Sequence, residues 1–226
     1  MATYAEARDE YCRVMGEELG TAYHLLWNQC ALLHMCWEEY VEMFGKSQAE
    51  FDTMNEVAPG FFKSVQDTSW ESILLHLCRF ADPAKVSSRR TLSLDALFTM
   101  HASKQVPELE KLISEARLKI KFARDWRNRS IAHADFDHAL DRSAKPLAPA
   151  SRAHVREALA AIVAVLEAID KHFTGSSLGF GGTRWNWGGT HLLSELRLVA
   201  RLRKERDARI NSGKATADDF DYEKWH

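Results

Sequence analysis

Apolar residues return at three- and four-residue steps along most of the chain, the signature of helices that each bury one face. The longest such run is Met15, Leu19, Ala22, Leu26, Cys30, Leu33, Trp37, Tyr40 and Phe44, and it stops at Gly45. Thr3 and Glu6 have the spacing of a capping box, in which a hydroxyl and a carboxylate satisfy the first free N–H groups of a helix. One long N-terminal helix is therefore expected; at ~1.5 Å per residue its roughly forty residues reach about 60 Å, more than a compact domain of this size spans. Part of it would then serve a partner or second subunit. Gly16 and Gly20 permit another helix to approach closely. Because glycine inside a helix costs about 1 kcal/mol, two helices broken near Gly20 are the alternative.

Further along, positions 46–57 read as a short helix or ordered loop ending at Pro59-Gly60. Trp70, Ile73, Leu74, Leu77, Cys78 and Ala81 then form the face of a helix over 61–81, closed by Asp82-Pro83 because a residue before proline is pushed out of the helical region. Positions 84–90 are a polar, mildly basic loop. Leu92, Leu94, Ala96, Leu97 and Met100 suit a short helix capped by Thr91 or Ser93. Pro107 suits a first helical position, with Glu108 and Glu110 favourable at the positive end of the macrodipole. The helix it would start carries Leu109, Leu112, Ile113, Ala116, Ile120 and Ala123 on one face. Past a proline-bearing loop at 143–149, Ser151 caps a helix with Val155, Leu159, Ile162, Leu166, Ile169 and Phe173, ended by Gly175.

The remainder changes character. Between 174 and 190, glycines are interleaved with Phe180, Trp185 and Trp187, and no Gly-Lys-Ser/Thr ending makes a phosphate loop of them. Beside Arg184 such a loop can stack on unpaired bases; it can equally be a packing or dimer-contact loop. A final helix over 191–210 bears Leu192, Leu196 and Val199 with Arg197, Arg201, Arg203, Lys204, Arg206 and Arg209, either an RNA track or a solvated face. The tail, 211–226, is polar and acidic, and is expected to be ordered only if Phe220, Tyr222 and Trp225 dock. The pattern as a whole is all-α, an antiparallel helical bundle. Residues 1–173 form the bundle, and 174–226 add a Gly/Trp-rich loop, a basic helix and a tail packed on the same domain.

Composition narrows the function classes. With 226 residues and a formal net charge of -2, the molecule as a whole will not attract polyanions, so nucleic-acid binding requires a local basic surface. The four cysteines, Cys12, Cys30, Cys36 and Cys78, form no CxxC pair, which fits reduced thiols in a cytosolic protein. Cys30, His34 and Cys36 lack a fourth metal ligand and read as core packing. Neither a basic-then-apolar start nor an apolar run of ~20 residues is present, so a soluble, cytoplasmic protein without membrane contact is expected.

Chemistry concentrates between Ala123 and Asp135. Arg127 is the next position on the apolar face that ends with Ala123, so a charge interrupts the stripe. Burying an unpaired guanidinium is costly; Arg127 therefore has an acidic partner, reaches water at the helix end, or lines a cleft for anions. Asn128 follows it, and His133 lies six residues on. At ~100° per residue the two side chains stand roughly 120° apart on a straight helix, and converge only if the helix ends or bends, or if a second subunit completes the site. A structural Arg127 paired to Asp125 or Asp135 is one alternative reading. A metal site of His133, Asp135, Asp137 and His138 is another, with all its ligands crowded into six residues. His76 and Arg79 flank the preceding helix, where an antiparallel packing would bring either near Arg127.

Arg127-Asn128, a four-residue spacer and His133 resemble the signature of the HEPN superfamily. The preceding helix, the stretch from Trp70 through Asp82-Pro83, and Thr91-Leu92-Ser93-Leu94 are similar to its abortive-infection (AbiU-like) branch, a likeness extending over roughly 70–173. The resemblance implies a metal-independent endoribonuclease needing no cofactor, working as a homodimer on RNA and restrained by a possible cognate antitoxin. It assigns catalysis to Arg127, Asn128 and His133. Arg124, Arg129, Arg184, Trp185 and Arg201 are weaker candidates for RNA contact. A non-catalytic HEPN module binding RNA, a nucleotide or a protein is the alternative.

Overall fold

A computed structural model describes residues 3–131, 146–175 and 188–221. The described residues are all-α apart from one two-stranded hairpin. Its elements are α1 (Tyr4–Met15), α2 (Glu17–Phe44), α3 (Gln48–Val57), α4 (Pro59–Phe80), β1 (Lys85–Val86), β2 (Arg89–Arg90), α5 (Leu94–Thr99), α6 (Leu109–Trp126), α7 (Arg152–Thr174) and α8 (Gly189–Asn211). Single turns of 3-10 helix lie at Ala102–Gln105 and Ala217–Phe220, and a π-helical turn at Arg127–Ile131. The chain divides into two compact units, Met1–Cys36 with Trp70–Thr183, and Trp37–Ser69 with Arg184–His226. Among the described residues no helix is long and apolar enough to cross a membrane.

In the first unit the expected single N-terminal helix is two. Its capping box forms, with the Thr3 N–H donating to Glu6 at 2.7 Å and the Glu6 N–H to the Thr3 hydroxyl at 3.3 Å. The break falls at Gly16, whose φ of 83° is open to glycine and strained for side chains. The chain then folds back so tightly that a Cβ on Gly20 would lie 2.5 Å from backbone atoms of Tyr11 and Cys12. Periodicity on both sides of Gly16 is helical, which is why the pattern alone reads straight through it. α6 and α7 make the most extensive helix pair. Ala116, Ala123 and Ala158 are fully buried, and small residues let two backbones approach closely. Ile113, Ile120, Val155, Ile162, Leu166 and Ile169 fill the spaces beside them, each fully buried aliphatic side chain contributing about 1.5–3 kcal/mol.

Three local expectations change. The loop at 84–90 is an antiparallel hairpin pairing Lys85 with Arg90 and Val86 with Arg89. It turns at Ser87, with φ of 54°. Both strands are exposed, so no inside-outside alternation marks them in the sequence. α5 is capped by Ser93, whose hydroxyl accepts the Ala96 N–H at 3.3 Å, and not by Thr91. α6 begins at Leu109 rather than at Pro107, because Glu108 takes a left-handed conformation, φ 56°, at the cap.

The second unit gathers Met43, Phe44, Met54, Phe62 and Leu193 into a small core, with Tyr40, Phe51, Val65 and Leu196 around it. α8 starts against α2, where a Cβ on Gly188 would meet the Glu39 carboxylate and one on Gly189 the Met43 sulfur, each at 2.5 Å. The Gly189 N–H donates to Glu39, and the Thr190 hydroxyl donates to Glu42 at 2.9 Å. Carboxylates thus occupy the positive end of this helix. The tail docks through charge: Asp219 is buried and accepts from Arg209 at 2.5 Å, while Phe220 is exposed.

Two outcomes are expected. Gly20→Ala forces the α1–α2 turn apart and lowers stability by about 1–3 kcal/mol in chemical denaturation, whereas Gly60→Ala, which meets nothing within 4 Å, leaves it nearly unchanged. Burial pushes the thiols of Cys30 up to about 12 and Cys78 up to about 11 from the ordinary 9.0. A raised folded pKa stabilises below the unfolded value and is lost as pH rises through the folded one. The urea midpoint therefore falls between pH 9.0 and about 11, and replacing Cys78 by Ala flattens that part of the fall.

Candidate functional site

The apolar face of α6 ends at Ala123, and the α-helix itself ends at Trp126. Arg127 opens the π turn, its N–H directed at the carbonyls of Ala123 and Arg124. A turn closed by i→i+5 bonds holds one more residue than an α-turn, so the even 100° progression stops at the motif. The side chain of Arg127 is about a quarter exposed and has an acidic partner: its Nη1 donates to Asp82 Oδ1 at 2.9 Å. Its Nε donates to Asn128 Oδ1 at 3.2 Å, and its Nη2 makes no hydrogen bond among the described residues.

Asp82 reaches this position because of the proline after it. Pro83 cannot continue a helix, so α4 stops at Phe80 and Asp82 sits in the turn beyond, where its carboxylate leaves the helix surface. The same oxygen lies 4.0 Å from Arg124, so two guanidinium groups share one carboxylate. Cys78, one turn earlier, feels all three: burial raises its thiol most, the positive charges of Arg127 and Arg124 oppose the rise, and Asp82 adds to it. Burial and then Arg79 lower the pKa of His76. The charged contact from the end of α4 to Arg127 is thus Asp82, rather than His76 or Arg79.

Asp125 has a separate task. Its Oδ2 accepts the Ala148 N–H at 2.8 Å, Trp126 Nε1 donates to the Ala148 carbonyl at 2.8 Å, and Arg129 donates to the Pro146 carbonyl at 3.3 Å. Arg129 also lies 3.5 Å from Asp125. Three successive polar contacts therefore clasp the returning segment 146–148 onto the motif helix. His133, with Asp135, Asp137 and His138, lies outside the described residues, as do Arg184 and Trp185. Among the described residues no group of three or more His, Cys, Asp or Glu side chains is placed to hold a metal ion.

Arg201 is exposed on α8, 3.8 Å from Glu205. Its basic neighbours face carboxylates as well: Arg197 and Glu50 at 3.4 Å, Lys204 and Glu56 at 2.8 Å, and Arg209 with Asp219. Much of the positive charge counted on this helix is thus balanced within its own unit. Sequence reasoning missed Asp82 as a site residue because the Asp-Pro pair was spent on ending a helix; an acidic residue at such a stop, facing an arginine at the end of another apolar stripe, was the available signal.

Removing either partner of the Asp82–Arg127 pair leaves a partly exposed charge unmatched. Asp82→Ala and Arg127→Ala are each expected to destabilise by about 0.5–1 kcal/mol, and the double variant by about 0.5 kcal/mol less than their sum. Strict additivity in the denaturation cycle would show that the pair carries no interaction energy.

No curated protein and no solved structure matches the chain. The family model described as AbiU2, of HEPN type, matches residues 16–183, a span that takes in Asp82, Arg127, Asn128 and His133 and ends before α8. The chain therefore belongs to the AbiU2 family and is a HEPN-type module of the abortive-infection group.

Proposed function

We propose that the protein is a metal-independent endoribonuclease of a toxin or antiviral system, cutting RNA at a cleft completed by a second copy of the chain. The observation that carries this reading is the setting of Arg127. Asp82 and Asn128 hold two of its nitrogens, at 2.9 and 3.2 Å, and leave Nη2 to meet a phosphate. A guanidinium fixed in this way stabilises charge growing on phosphorus without reorganising, which is the more effective form of electrostatic catalysis. His133 takes the proton of the ribose 2′-hydroxyl as its oxygen attacks phosphorus. The bond to the 5′-oxygen breaks, and His133 of the partner subunit protonates that oxygen. The products are a 2′,3′-cyclic phosphate and a 5′-hydroxyl. An imidazole titrating near ~6.5 supplies both base and acid at neutral pH. A cognate antitoxin would act by covering this cleft.

One observation favours the second reading, a non-catalytic module: the ion pair with Asp82 also suits a purely structural arginine. Incubation of the purified protein with single-stranded RNA in excess EDTA separates the two. Cleavage leaving cyclic phosphate ends is expected. Arg127→Ala and His133→Ala are each expected to reduce the rate by about 10²–10⁴-fold while the dimer persists in analytical ultracentrifugation. Parental rates in either variant would end the assignment.

A further inference from the structure

The β1–β2 hairpin is built against its own charge. Its register sets Lys85 directly opposite Arg90, and Arg89 opposite Val86, on strands that are exposed throughout. Like charges facing each other across two strands destabilise a hairpin, and two residues per strand give little pairing to offset that. Only Arg90 has an acidic neighbour, Glu18 at 2.6 Å; Lys85 and Arg89 have none among the described residues. The chain as a whole carries a net charge of -2, so this local excess of cations is not a general property of its surface.

Position gives the excess a meaning. The hairpin follows Asp82 and Pro83 without a break, and its base is tied there: the Thr91 N–H donates to the Ala84 carbonyl at 3.0 Å, and the Thr91 hydroxyl donates to the Pro83 carbonyl. Lys85 is three residues on from Asp82, so their Cα atoms are at most about 11 Å apart. A basic arm is therefore anchored beside the carboxylate that holds Arg127. Arg79, exposed one turn before Asp82, adds to the same side of the sequence.

We infer that this hairpin is a backbone-binding arm for single-stranded RNA, in which Lys85 and Arg89 contact phosphates next to the one engaged by Arg127. The inference rests on the nuclease reading for its geometry, and binding tests it independently of cleavage. An RNA phosphate supplies the negative charge that Lys85 and Arg89 lack among the described residues, Arg90 being matched by Glu18, and contacts of this type carry affinity without reading bases. Sequence preference would then arise elsewhere.

The test uses the full chain and a 2′-O-methyl RNA oligonucleotide, which cannot be cut because it has no free 2′-hydroxyl. Lys85→Ala with Arg89→Ala is compared with Lys104→Ala with Lys121→Ala, which removes the same charge from exposed positions elsewhere. Each single-strand phosphate contact contributes about 0.7 to the slope of log affinity against log salt. The hairpin variant should lose about 1.4 of that slope, raise KM for long unmodified RNA, and cut a dinucleotide at the parental rate. Its thermal midpoint should not fall, since a repulsive pair has been relieved; a merely structural role would lower it. An unchanged slope, equal losses in both double variants, or no binding by the parent would overturn the inference. Hairpin-dependent binding by a protein that cuts no RNA would instead uphold the arm and remove the nuclease.

Discussion

A guanidinium at the end of an apolar stripe needs a counter-charge, and the 2.9 Å contact between Arg127 and Asp82 meets that need. Both side chains are about a quarter exposed, so water still screens the pair and its contribution to stability is small. Its larger effect is positional. It ties the end of α4 to the end of α6, places Arg124 within 4.0 Å of the same oxygen, and fixes one edge of the arginine fork while another nitrogen leans on Asn128. Remove the carboxylate, and the two guanidinium groups of Arg124 and Arg127 are left facing each other with no shared counter-charge.

Around that pair the protein spends polar contacts on holding segments in place. Asp125, Trp126 and Arg129 each bind the stretch 146–148, so the chain that leaves the motif after Ile131 is fastened to the same helix when it returns. The hairpin is fastened in the same manner, at Pro83 and Ala84. Backbone carbonyls and N–H groups do most of this work, and they are indifferent to which side chains lie between the anchored ends.

Charge is distributed unevenly between the two units. In the second, carboxylates of α3 and the tail neutralise much of α8, Glu50 and Glu56 along it and Asp219 near its end, while Glu39 and Glu42 of α2 accept hydrogen bonds at its start. In the first, Lys85 and Arg89 face no described carboxylate. A net charge near zero therefore conceals a basic arm beside the motif, and a helix that looks basic in sequence turns out to be largely self-neutralised.

The sequence by itself determined the helices and the place of the motif. Periodic burial needs only neighbours three and four residues apart, which is why the faces of α2, α4, α6 and α7, the caps at Thr3 and Ser151 and the stop at Asp82-Pro83 were all legible. It also marked Arg127 as a charge requiring an answer. Tertiary structure alone decided what the answer is, because Asp82 lies 45 residues away and becomes a partner only once α4 and α6 are placed. The same holds for the fold-back at Gly16, which depends on the backbone of Tyr11 and Cys12 coming against Gly20, and for the charges of α8, whose partners Glu50 and Glu56 precede it by some 150 residues. Local spacing records which face a helix buries; it holds no record of what that face will meet.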